Sequence, residues 1–176
     1  MLKPDEYLNL HRLTLDIETD GLTPSYDSRI TCICTKDHEN GYELAITDID
    51  EKKIIDEFST FVYPIRKTHF LLTKNGKQFD IPFIFIRSCK HKMFGMDWLF
   101  DIPHFDFQEV PGGWTSLDKI AKLYRIRGKN GTSTDAINLW KWREYNKLLV
   151  YCKNDVSITD NVFDIWQILF CNEEGE

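Results

Sequence analysis

The sequence has no long apolar run. None of its hydrophobic stretches approaches the roughly 18–20 residues a membrane-spanning helix needs, so a transmembrane protein is excluded. The first residues, Met1 to Glu6, are charged and carry no apolar signal segment, which argues against secretion and for a cytoplasmic, intracellular protein. Cysteine is sparse and odd in number. Of the five (Cys32, Cys34, Cys89, Cys152 and Cys171), the nearest pair is C-x-C, not C-x-x-C. A disulfide framework is therefore not expected, and a cysteine zinc site has no motif support. Reduced cysteines acting as small core residues are the expectation. The five histidines show no ligand spacing and are given no catalytic role. Internal repeats and low-complexity segments are absent as well.

The chain also lacks a basic excess. Its 22 Lys and Arg face 28 Asp and Glu, for a net charge of −6. An acidic chain is no obvious polyanion binder. The charge is nevertheless blocked: residues 63–96 carry seven bases to one acid, and residues 119–153 nine to two. Such blocks contact phosphate or simply solvate helix faces, and bound divalent cations would cancel clustered carboxylates.

What is present suffices for a core. Hydrophobic residues make up 42% and aromatics 14%, too much for a disordered chain. The length suits a single domain over 1–176, with its core at about 10–170 and a short frayed tail from Cys171. Alternation of Leu13, Leu15 and Ile17 with polar neighbours predicts a strand over His11–Glu18. Further strands are expected near Arg29–Thr35 and Tyr42–Thr47, joined through Asn40-Gly41, then at Phe70–Thr73 and His104–Phe107. Helices are expected over Glu51–Val62, capped by Asp48 or Asp50, and over Asp80–Lys92, Ser116–Tyr124, Asp135–Trp140, Glu144–Lys153 and Asp155–Phe170. Three strands, then strand–helix alternation, then a helical end indicate an α/β domain with a mixed sheet.

Three short segments carry chemistry. In Asp16-Ile17-Glu18 the two carboxylates share one face of a strand. They repel unless a cation lies between them, and magnesium, a hard ion, suits oxygen donors. Asp80 sits where a strand gives way to a helix, a usual position for functional residues, although a helix cap needs the same residue. Tyr151 and Asp155 are four apart, so a helix projects phenol and carboxylate together. Singly, each has a bland structural explanation.

Jointly, Asp16, Glu18, Asp80, Tyr151 and Asp155 resemble, in order and spacing, the motifs of the DEDD exonucleases of the tyrosine subclass. Leu15-Asp16-Ile17-Glu18-Thr19 is similar to the first motif of B-family DNA polymerase proofreading domains, Asn75-x-x-x-Phe79-Asp80 to the second, and Tyr151-x-x-x-Asp155 to the third. The histidine subclass would need His where Val150 stands. The resemblance spans about residues 10–170. It implies an RNase H-like fold, a five-stranded mixed sheet with helices on both faces. Because the chain ends soon after the third motif, the expectation is a free-standing exonuclease or a subunit.

The implied activity is 3′–5′ hydrolysis of single-stranded DNA to nucleoside 5′-monophosphates, with two Mg2+ (or Mn2+) ions per site. The resemblance implies that Asp16 bridges both ions, that Glu18 and Asp155 hold one, and that Asp80 acts through the outer shell of the other. Tyr151 would orient the attacking water. Thr19 to Leu22 would line the pocket for the 3′ end, with Asn75 and Phe79 also at the substrate; core filling is the favoured alternative for Phe79. Lys74, Lys77, Lys119, Lys122, Arg125, Arg127 and Lys129 form the expected phosphate track, and Trp114 offers a stacking surface. Asp106 is expected to support the site or to make a structural hydrogen bond. The competing readings are a 3′–5′ exoribonuclease and a catalytically silent nucleic-acid-binding module. The expected partner is single-stranded nucleic acid, DNA before RNA, with no membrane.

Overall fold

In the computed structural model, residues 7, 9–25, 27–110 and 115–170 are described. The expectations about Trp114 and about the tail from Cys171 fall outside them. The strands are β1 (His11–Thr19), β2 (Ile30–Asp37), β3 (Glu43–Ile46), β4 (His69–Thr73) and β5 (His104–Asp106). They form one sheet in the order β3-β2-β1-β4-β5. The first three make an antiparallel meander, and β4 and β5 add in parallel.

Period-two patterning divides β1 between two faces. Leu13, Leu15 and Ile17 point to one side, where they meet Ile54, Ile55, Phe58 and Val62 of α1 (Glu51–Val62) and Ile81, Phe83 and Ile84 of α2 (Asp80–Lys90). Asp50, one of the two caps considered, accepts a hydrogen bond from Lys52 N at 3.0 Å. Glu51, buried under α1, binds the Arg87 guanidinium at 2.5 Å and accepts from Ile30 N at 2.6 Å, tying α1, α2 and β2 together.

The opposite face of the sheet is covered by α3 (Leu117–Leu123), α4 (Ser133–Lys141) and α5 (Tyr145–Phe170). Phe70, Leu72, Phe105 and Phe107 pack there on Ile158, Val162 and Phe163 of α5. Trp166 packs against this cluster, as its apolar helical register implies. The two terminal helices expected from the sequence are one helix of 26 residues: Asn154 has neither the missing N–H nor the fixed φ that would end it. Farther along α5, Asp160 is 1% exposed and ion-pairs with Arg12 at 2.9 Å and Lys36 at 2.6 Å, while Thr14 Oγ1 donates to it at 3.0 Å. This buried polar group holds α5 across β1 and β2. No helix among the described residues is long and apolar enough to cross a membrane.

Candidate active site

Asp16 and Glu18 lie on the α5 side of β1, opposite Cys34 and Cys32 of β2 in register. The register shifts between Glu18 and Thr19, a bulge of the kind that re-aims side chains beside functional sites. Asp80 opens α2. It is not the helix cap: Phe79 holds that position without a side-chain bond. The Asp80 Oδ1 instead accepts from Ile17 N at 3.1 Å, which ties the start of α2 to the strand carrying Asp16 and Glu18. Asp155 comes from the middle of α5.

The turn before Asp80 is clamped by β5. Asp106 accepts from Asn75 N at 2.6 Å, Lys77 N at 3.0 Å and Gln108 N at 2.9 Å. Of the two roles expected for Asp106, the structural hydrogen bonds are present, and they hold the segment that leads into Asp80. Thr73 Oγ1 accepts from Gly76 N at 3.1 Å and lies 2.7 Å from His104 Nε2, whose pKa burial lowers to about 3. A Cβ on Gly76 would come within 2.6 Å of the Thr73 side chain, so the turn closes only over glycine.

Asp16, Glu18, Asp80 and Asp155 converge on one cleft of about 280 Å³. Thr19, Leu22, Asn75 and Phe79 also line it, as the sequence implies. Leu22 is 69% exposed at the cleft, whereas Phe79 is partly buried and packs on the core as well, so the core contact expected of it is present. Tyr151 does not line the cleft. Its ring packs with Leu148 and Cys152 beside Lys129, and its buried hydroxyl has no hydrogen-bond partner among the described residues, which leaves it available to a water.

Three lining residues are new or better placed than the sequence allowed. Ser133 and Ile137, one helical turn apart on α4, line the cleft. Ser133 lies before the start expected at Asp135, and Ile137, although inside the expected helix, carries no charged or nucleophilic group to mark it. The reciprocal cap between Thr132 and Asp135 marks the true start of α4 and is legible as T-x-x-D. Lys129, one of several cations in the expected phosphate track, enters the cleft itself. Its ammonium ion-pairs with Asp155 and lies 5.4 Å from the centre of the Tyr151 ring. Lys74 also lines the cleft, whereas Lys77 and Lys122 are engaged by Glu109 and Asp118, each at 2.7 Å. Among the tryptophans, Trp142 stands 68% exposed.

The electrostatics are those of carboxylates crowded out of water. Burial, then Glu18, Asp155 and Asp80, push the Asp16 pKa well above the carboxylate range. Burial and Asp155 do the same to Glu18. Burial, with Asp106 adding to it, raises Asp80 to about 7 against the pull of two backbone hydrogen bonds. Burial raises Asp155, partly offset by Lys129. Burial would lower Lys129, but Asp155 and Asp16 outweigh it and hold the ammonium charged. Lys129 and Lys74 together cannot neutralise four carboxylates, and Asp155 Oδ1 is buried with no hydrogen-bond partner among the described residues. An excess of buried oxygen donors, one of them unsatisfied, fits hard divalent cations.

Comparison with known proteins agrees with this fold. Among curated proteins, none matches the chain. Among solved structures, the family B DNA polymerase from the hyperthermophilic archaeon Pyrobaculum calidifontis superposes with a TM-score of 0.74 at 14% identity. The match covers 90% of this chain and 24% of that polymerase, so the chain spans about a quarter of its length. The likeness is one of fold, and the five-stranded mixed sheet with helices on both faces is the RNase H-like fold implied by the sequence. A family model described as the RNase H superfamily matches residues 13–167, from the first buried leucine of β1 to the last turn of α5, and the chain belongs to that superfamily.

Proposed function

We infer that the chain is a nuclease that removes nucleotides from the 3′ end of single-stranded DNA, with divalent cations held by Asp16, Glu18, Asp80 and Asp155. The observation that carries this reading is the convergence of those four buried carboxylates, from β1, α2 and α5, on one cleft. A silent binding module has no need of them, and leaving them there without cations is electrostatically costly. The relatedness to a B-family polymerase in fold and the three motifs support the 3′–5′ direction.

Divalent ions, when bound, supply charge neutralisation at the phosphoryl group and activation of a water molecule. The chain's own residues do the rest. Asp80 has one oxygen committed to Ile17 N, so it reaches a cation through the other or through water. Lys129, now ion-paired with Asp155, would be free to donate to a phosphate oxygen if a bound cation took over that carboxylate. Tyr151, its pKa raised by burial and by Asp155, keeps its proton and acts as a hydrogen-bond donor that orients water, not as a base. Exposed Leu22 offers an apolar face to the terminal base, and Thr19 and Asn75 flank the sugar.

The test is digestion, with magnesium, of single-stranded DNA, duplex DNA and RNA labelled at either end. Release of mononucleotides from the 3′ end, blocked by a 3′ phosphate, is the expected result. Release beginning at the 5′ end overturns the direction, and a preference for RNA overturns the substrate.

A further inference from the structure

A second donor set stands behind the carboxylates. Cys32 and Cys34 are two apart on β2, so both thiols face the α5 side of the sheet. Across the ladder they pair with Glu18 and Asp16, which places thiols and carboxylates on one surface. Cys152 descends onto that surface from α5, and all three cysteines are buried. Their sulfur atoms lie within 4.8 Å of one another, with Cys32 and Cys34 Sγ 3.8 Å apart. Cys152 Sγ is 3.6 Å from Asp16 Oδ2.

These spacings can be set against coordination geometry. A tetrahedral zinc ion with sulfur at about 2.3 Å requires sulfur–sulfur edges of about 3.8 Å. With one carboxylate oxygen at about 2.0 Å, the sulfur–oxygen edge is about 3.5 Å. The Cys32–Cys34 edge and the Cys152–Asp16 edge have these lengths, and the remaining sulfur–sulfur distances, all within 4.8 Å, close on an ion by side-chain rotation. A disulfide would use two of the sulfurs and leave the third, whereas a cation uses all of them. Thiolates select soft or borderline ions and reject magnesium, so this donor set is chemically distinct from that of the cleft.

We propose that Cys32, Cys34 and Cys152 form a binding site for a thiophilic divalent cation, zinc, with the Asp16 carboxylate, next to Cys152, turning in as the fourth donor. Binding exchanges thiol protons for the ion and releases them to solvent, with no change of oxidation state. The ion has an approach through a small cavity of about 60 Å³ bounded by Cys34, Lys153 and Val156. Asp16 belongs to both donor sets. Zinc among the thiols therefore withdraws it from the cleft, and micromolar zinc would switch off a magnesium-dependent reaction. That regulatory consequence rests on the nuclease reading; the zinc site does not.

The full-length chain, reduced with a phosphine and held in excess magnesium, is titrated with cobalt(II). The expected result is a near-ultraviolet thiolate-to-cobalt absorption that saturates at one equivalent and is abolished by one equivalent of zinc. Cys32→Ala/Cys34→Ala should lose the band and the exposed Cys89→Ala should keep it. If the double variant does not fold, Cys152→Ala alone should lower the band by about a third, in proportion to the thiolates left. No band in the wild-type chain, or a band that survives the loss of Cys32 and Cys34, overturns the site. A normal cobalt spectrum without nucleolytic activity sinks the nuclease reading and leaves the site standing, and activity without the band does the reverse.

Discussion

Asp16 touches more of the chemistry than any other side chain: its carboxylate faces the cleft, and its neighbours are Glu18, Asp155, Asp80 and Cys152. Asp16→Ala should abolish hydrolysis in magnesium. Its unfolding temperature in chelator should equal or exceed the wild-type value, because one of four repelling charges is gone. Tyr151→Phe and Asp155→Asn separate positioning from cation binding. The first should lose about 10²–10⁴ in turnover with the magnesium half-saturation unchanged, since only an orienting hydroxyl is lost. The second should raise the magnesium needed, as a titration of activity will show. A twofold effect of Tyr151→Phe would make the tyrosine a packing residue. Asp80 predicts a pH dependence. Folding raises its pKa from 3.8 to about 7, so between those values the folded state keeps a proton that the unfolded chain releases. Its contribution to metal-free stability is therefore greatest below about pH 4 and is lost as pH rises towards 7. Asp80→Asn, which keeps the acceptor for Ile17 N, should be destabilised least, relative to wild type, at high pH. Urea midpoints in chelator from pH 5 to 8 measure this. These carboxylates were legible because strand period two and helix spacing i,i+4 place them without knowledge of the fold. The entry of Lys129 into the cleft was not, since an irregular loop has no period. Nor was the meeting of Cys152 with Cys32 and Cys34, which only the packing of α5 on β2 brings about.

At the scale of elements, the site depends on joints made by buried ion pairs. The Glu51–Arg87 pair, each side chain 4% exposed, joins α1 to α2 and thereby sets where Asp80 begins its helix. Breaking a buried pair costs about 3–5 kcal/mol when the remaining charge is left unpartnered, which is an upper bound here because Glu51 keeps His91 Nε2 at 2.7 Å and Ile30 N at 2.6 Å. Arg87→Met should be destabilised by at most that amount in urea unfolding, and Glu51→Gln/Arg87→Met by less than Arg87→Met alone. The turn before α2 depends in the same way on Asp106, whose carboxylate receives three backbone N–H groups. The positions of the strands and the amphipathic α1 followed from local pattern. The start of α4 and the continuity of α5 did not: the polar run Gly128–Thr134 masks the T-x-x-D cap that opens the first, and only the absence of a breaker near Asn154 marks the second.

Across the whole molecule, the core can be divided by sheet face: an aliphatic layer under α1 and α2, and an aromatic layer under α3 and α5 with the carboxylates and thiols at its edge. Cation binding should consequently register as global stability. At a magnesium concentration 100 times the dissociation constant, linkage contributes about 2.7 kcal/mol. For a chain of this size that corresponds to a rise of roughly 5–11 °C in unfolding temperature. Calorimetry with and without magnesium should show it in the wild type, and Asp16→Ala should not respond.

The long helix α5 behaves mechanically as a single strut. Its pivot is Asp160, locked in the interior by Arg12 and Lys36, and its working end is Asp155, about 7.5 Å along the axis at 1.5 Å per residue. A stiff bar with a fixed fulcrum transmits rotation. Loosening the fulcrum tilts Asp155 and Cys152 together, and with them the walls of both donor sets. The alignment of the cleft is thus governed from a point outside it, where Arg12 of β1 and Lys36 of β2 together set the angle of the lever.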